Sequence, residues 1–198
     1  MGSKLRNKSN TLSSELFARQ QDWAAWLEGN HGTSSGVWLQ MAKKDAGGSS
    51  VSYDEAIEIA LCYGWIDGQK KAHSEQYWLQ KFTPRSSKSL WSKINKEKAL
   101  VLINAGKMQP SGLKEIERAK NDGRWGAAYD SASQSNVPSD FQLALDGNAQ
   151  AKNFFETLDR RNRYAVLFRI QTAKTAETRE RKILQFVQML ERHEKIHE

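Results

Sequence analysis

Between Gly64 and Arg85 the chain offers two strand-length runs around a short polar stretch, and nothing else in it constrains the fold as tightly. Residues 64–70 carry Trp65 and Ile66; residues 76–82 carry Tyr77, Trp78, Leu79 and Phe82. The polar stretch 71–75 is too short for a crossover, so the two runs read as an antiparallel hairpin. Pro84 brings no N–H and ends the pairing. A third run, 36–42, alternates Val37, Leu39 and Met41 against Trp38 and Gln40, the period of a strand with one buried face.

Helical signals surround these strands. Leu16, Phe17, Gln20, Trp23, Ala24 and Leu27 share one helical face, which predicts a helix over 14–28 stopped by Gly29. Ser52 and Glu55 form a capping-box pattern, so a helix starts at 53, and Gly64 fits its C-terminal end. Asn95 reads as the cap of a helix over 96–105, and Ser111 as the cap of one over 112–122. Small polar residues then run to Val137, and Pro138 closes them. Beyond lie four helical segments, capped by Ser139, Asn148, Asp159 and Thr175, the last with an apolar seam of Ile183, Phe186, Val187 and Leu190.

The expected fold class is α+β: a small antiparallel sheet packed with several helices, followed by a C-terminal all-helical subdomain. The expected division is a basic tail over 1–13, disordered or tag-derived, an α+β domain over 14–126, a linker over 127–137 and a helical domain over 138–198. About sixty residues are marginal on their own, so the helical part is expected to pack on the first.

Composition narrows the function classes. No stretch approaches the ~20 apolar residues of a membrane helix, and no apolar segment follows the basic start, so a cytoplasmic location is expected. The lone Cys62 excludes an intrachain disulfide framework and a cysteine-based zinc site, and the four histidines lack metal-ligand spacing, so neither metal nor cofactor is expected. The formal charge is +7, concentrated in 68–98 with eight Lys/Arg against two acids and in 160–198 with ten against five. Such a balance permits an anionic partner.

Two constellations carry chemistry. Asp67 sits in a strand, where Asp is depleted, behind Trp65. It suits a general acid or base, a hydrogen-bond acceptor for a ligand, or a structural pair with Arg85. The loop after Pro84 gathers Arg85, Lys88, Ser89, Trp91 and Ser92 ahead of Asn95. A guanidinium fork, hydroxyl donors and a helix start suit an anion, and equally a solvated loop of turn and cap residues. A further run, Ala173 to Lys182, lies near Arg160, Arg161, Arg163 and Arg169, and reads as a basic nucleic-acid face or as a helix pair laced by Glu–Arg pairs.

Ala60-Leu61-Cys62-Tyr63-Gly64-Trp65-Ile66-Asp67, Phe82-Thr83-Pro84-Arg85, Ser89 to Asn95, Gly106-Lys107-Met108 and the Ala173 to Ile183 segment together resemble the YdeI/OmdA family, also named for bacteriocin protection. The resemblance runs over about residues 14–192, with Tyr63 where Phe is the family's habit. It implies a link to bacteriocin or antimicrobial-peptide tolerance and to an outer-membrane porin, and transfers no catalytic residue. The expected function is a stress or bacteriocin-tolerance protein binding an anionic small molecule or peptide. The alternatives are an enzyme using Asp67 as acid or base, and a nucleic-acid-binding protein.

Overall fold

A computed structural model describes residues 12–132 and 134–198. The expected tail over 1–13 therefore lies almost wholly outside the described residues. The chain forms two compact units: one runs to Ser89 and includes Glu97–Asp122, the other comprises Leu90–Lys96 and Gly123–Glu198.

The first unit holds the sheet. Its strands are β1 (Ser14–Glu15), β2 (Val37–Ala42), β3 (Trp65–Ala72) and β4 (Tyr77–Pro84), in the order β1-β2-β4-β3. The hairpin forms as its sequence predicts: β3 and β4 pair antiparallel, Trp65 opposite Pro84 and Asp67 opposite Phe82, with an irregularity between Asp67 and Lys70. β2 joins the far side of β4, also antiparallel. The short β1 adds a parallel edge, Ser14 opposite Trp38, which makes the sheet mixed.

That edge strand corrects the first helix. α1 spans Gln20–Asn30, not 14–28, because Ser13 and its neighbours hand their backbone groups to β2. α2 (Tyr53–Cys62) begins where the capping box places it, Ser52 accepting from the Glu55 N–H while the Glu55 carboxylate accepts from the Ser52 N–H at 2.8 Å. α3 (Lys93–Asn104) starts earlier than expected, since Ser92 rather than Asn95 caps it: Ser92 Oγ accepts from the Asn95 N–H at 3.1 Å. α4 (Pro110–Asn121) also starts early, with Pro110 in its first turn, where a missing N–H costs nothing.

The inner face of the sheet buries Val37, Leu39, Met41 and Phe82 against Trp23 and Leu27 of α1 and Ala56 and Ala60 of α2. Trp23 anchors this core. Its ring lies 5.5 Å from Phe82 and 6.4 Å from Trp65, and its Nε1–H donates to the Ala56 carbonyl at 3.1 Å. Burying each such aromatic contributes roughly 2–3 kcal/mol.

The second unit is helical beyond Pro138: α5 (Ser139–Asp146), α6 (Ala149–Thr157), α7 (Arg160–Gln171) and α8 (Ala176–Glu191). Asn148, Asp159 and Thr175 cap the last three as their spacing predicts. Phe141, Leu145, Phe155, Val166, Leu167, Ile170, Phe186 and Leu190 form its core. No helix among the described residues is long and apolar enough to cross a membrane.

Candidate functional site

The residues that the sequence singles out divide between the two units. Trp65, Asp67, Arg85, Lys88 and Ser89 fall in the first; Trp91, Ser92 and Asn95 fall in the second. Most are occupied with structure. Trp65 is 1% exposed, edge-on to Trp23 and Trp26, and its Nε1–H donates to the His31 carbonyl at 3.2 Å. Ser89 Oγ accepts from the Ser86 N–H at 2.9 Å, and Ser86 Oγ accepts from the Lys88 N–H at 3.2 Å, so the hydroxyls close a tight turn beneath an exposed Lys88. Trp91 is buried edge-on to Trp125 at 4.8 Å, and its carbonyl accepts from the Tyr129 N–H. Ser92 and Asn95 make the cap of α3 described above.

Asp67 and Arg85 do not form an ion pair with each other. Asp67 stands opposite Phe82 in the register, while the Arg85 N–H donates to the Gly64 carbonyl at 3.0 Å. The Asp67 carboxylate instead accepts from the Tyr53 hydroxyl at 2.7 Å, and the Tyr53 ring tilts against Trp78. Arg85 is buried, its carbonyl accepting from Arg118 Nη2, which also pairs with Glu115.

The glycines around this motif explain its composition. Gly64 has φ +77°, and a Cβ there would meet Glu115 Cγ at 2.9 Å and the Ser111 carbonyl oxygen at 3.0 Å. A Cβ on Gly112 would overlap the Cys62 carbonyl oxygen. The Gly64 to Arg85 stretch thus seats α4 directly on the backbone after α2. Cys62 lies within this packing, and burial pushes its thiol up to about 11, which removes it as a nucleophile at neutral pH.

A second arrangement suited to a ligand lies elsewhere, on α7. Arg160, Arg161, Tyr164, Ala165, Phe168 and Arg169 recur at helical spacing along one face of that helix and line a groove of about 550 Å³ with Ala132 and His197. Its floor is aromatic. Phe168 lies 5.7 Å from Tyr164 and edge-on to Tyr129 at 4.9 Å. Tyr164 is fixed by its hydroxyl, which donates to the Asp130 carbonyl at 3.1 Å. The Asp130 side chain is itself held by Lys93 at 2.6 Å and by Gln171, and the Lys93 bond keeps this carboxyl below its ordinary range.

One wall is the chain end. Buried Asn162 accepts from the His197 N–H at 2.8 Å and donates to the His197 carbonyl at 3.1 Å, which pins that segment to the start of α7. Positive charge rims the groove. Arg160 and Arg161 are exposed and make no hydrogen bond or ion pair among the described residues; Arg169 donates to the Ala165 carbonyl of its own helix. Arg163 leaves this face and lies over the Phe155 ring at 4.5 Å. The sequence names these arginines as a basic run. The missing signal is the placing of Tyr164 and Ala165 four positions after Arg160 and Arg161, which turns a charged helix into a lined groove.

No curated protein and no solved structure gives a significant match to the chain. Family comparison places residues 15–115 in the family described as Domain of unknown function (DUF8412). Residues 134–193 match the family described as Bacteriocin-protection, YdeI or OmpD-Associated. The sheet and the Gly64 to Arg85 motif fall in the first match, and all the groove residues of α7 in the second. The chain therefore belongs to the family of unknown function that spans its N-terminal half, and it carries a bacteriocin-protection, YdeI or OmpD-associated domain at its C-terminal end.

Proposed function

We propose that this chain is a binding protein for a small anionic ligand with an apolar body, held in the α7 groove. The observation that carries this reading is the pair Arg160 and Arg161, exposed and with no side-chain hydrogen bond or ion-pair contact among the described residues, beside the fixed aromatic floor of Tyr164 and Phe168. A guanidinium whose N–H groups are not already spent on a hydrogen bond is ready to grip a phosphate or carboxylate in fork geometry. Aromatic rings at its side desolvate the rest of the ligand, and the volume falls within the range of about 300–1,000 Å³ typical of small-molecule sites.

This reading keeps the anionic ligand expected from the sequence and moves it from the Arg85 loop to α7. Bacteriocin protection, named in the matched C-terminal family's description, fits a protein that binds without turnover. The acid–base reading of Asp67 has no comparable support, since the Tyr53 hydroxyl already occupies its carboxylate.

Thermal shift against a panel of phosphorylated and carboxylated aromatic and aliphatic compounds tests the proposal. A ligand at about 100 times its Kd stabilises the chain by about 2.7 kcal/mol. That shift disappears in Arg160→Ala/Arg161→Ala and persists in Lys88→Ala. Equal shifts in wild type and the arginine variant, or no shift with any compound, remove the α7 groove from consideration.

A further inference from the structure

We propose that the outer face of the sheet, centred on Trp38, binds single-stranded nucleic acid. This surface lies in the first unit and is independent of the α7 groove.

The register builds the surface. Val37, Leu39 and Met41 point into the core, so Trp38 and Gln40 point outward from β2. Lys81 of β4 stands directly opposite Trp38. Lys71 of β3 stands opposite Leu79, which in turn stands opposite Gln40. These residues therefore share one face. β4 separates Lys71 from Trp38, yet the Lys71 ammonium reaches within 4.3 Å of the Trp38 ring centroid, and Lys81 within 5.9 Å. To do so the Lys71 stem crosses β4 at Leu79, which is only 4% exposed although it points outward.

Two ammonium groups thus reach one indole, both from the β4 side of β2, and neither has a carboxylate partner among the described residues. Charge without counter-charge beside a half-buried aromatic ring is the chemistry of a stacking platform. An unpaired base offers a π-face of the right size for the indole, and the phosphates on either side of it meet the lysines. The contact of Lys71 with the ring is an exposed cation–π pair, weak enough for a base to displace. The freed ammonium then moves outward onto the phosphate. A duplex hides its base faces and does not satisfy the ring, which favours the single strand.

Fluorescence anisotropy of the full chain with a labelled deoxythymidine oligomer of about 12 nucleotides tests the inference. Wild type binds with an affinity that falls as salt rises. Lys71→Gln/Lys81→Gln reduces the slope of log K against log salt by about 1.4, at about 0.7 for each of two phosphates. Trp38→Leu weakens binding between about fivefold and a hundredfold, and leaves the slope unchanged, because stacking is lost while the phosphate contacts remain. Circular dichroism melting establishes that each variant is folded; Lys71→Gln alone serves if the double variant is not. Arg160→Ala/Arg161→Ala keeps wild-type affinity. The inference is overturned by absence of binding at low salt, by unchanged affinity in the Trp38 variant, by a duplex bound as tightly as the single strand, or by loss of binding in the arginine variant in place of the lysine one.

Discussion

Gly112 shows how a single residue fixes a contact that no side-chain chemistry advertises. It sits in the first turns of α4, where Ala would serve the helix better by about 1 kcal/mol. The Cys62 carbonyl occupies the place a Cβ would need, with Met108 Cε also close. Gly112→Ala therefore destabilises the chain by about 1–3 kcal/mol in urea unfolding, against the direction of helix propensity, because backbone cannot yield as a flexible side chain can. An equal or increased stability would show that α4 shifts freely. Residue type alone marked Gly64 as a helix terminator, and φ +77° agrees. Its second role, admitting Ser111 and Glu115, depends on a helix nearly fifty positions away and has no local trace.

Elements were legible wherever the deciding interaction is local. A cap bonds within three residues, so Ser52, Asn148, Asp159 and Thr175 announce helix starts that the structure contains. Thr175 accepts from the Thr178 N–H at 3.1 Å and opens α8. Thr175→Ala costs about 1 kcal/mol, and Thr175→Asp restores it, read from the midpoint of thermal unfolding. Loss in both variants would mean that the threonine methyl group, not the cap, matters there. The α1 and α3 starts depart from their local signals for different reasons. Ser14 and Glu15 belong to a helical pattern locally, but a partner strand claims their backbone. Ser92 and Asn95 are both good caps, and local chemistry does not rank them. The hairpin was legible because short separation and Pro84 leave few alternatives, while its irregularity after Asp67 was not.

At the scale of the whole molecule, charge is arranged to favour the folded state near neutral pH. Hydrogen bonds to Lys93 and to Arg179 hold the Asp130 and Asp140 carboxyls below their ordinary range. Asp159, as cap of α7, is lowered by the Asn162 N–H, and Glu55 by Ser52. A carboxylate whose pKa is lower folded than unfolded binds fewer protons in the folded state. Its contribution is complete above the unfolded value of about 4 and is lost as pH falls through the folded value. Stability is therefore flat from neutral pH to about 5 and declines below about 4. Asp130→Asn, whose carboxylate is the more sheltered of its ion pair, makes that decline shallower. Urea midpoints across pH 3 to 7 check this, and a variant that tracks wild type throughout would rule out Asp130 as a contributor. The surplus of +7 sits on other groups, among them Lys71, Lys81 and Arg160, which form no ion-pair contact among the described residues.

The stretch from Gly64 to Arg85 marks the boundary between the two kinds of information. Strand period, the proline stop, the capping box and the helical seams are short-range, so the sequence alone determined an α+β unit followed by helices. Which polar residues would be consumed by that fold was settled by tertiary structure. Asp67 went to Tyr53, Arg85 was buried beside Arg118, and the serines closed a turn, whereas arginines of the α7 basic run and two lysines of the sheet were left beside aromatic rings. Spacing fixes which residues share a face. Only the packed chain decides whether that face meets a partner, and so whether its charge is spent on the fold or remains to bind something else.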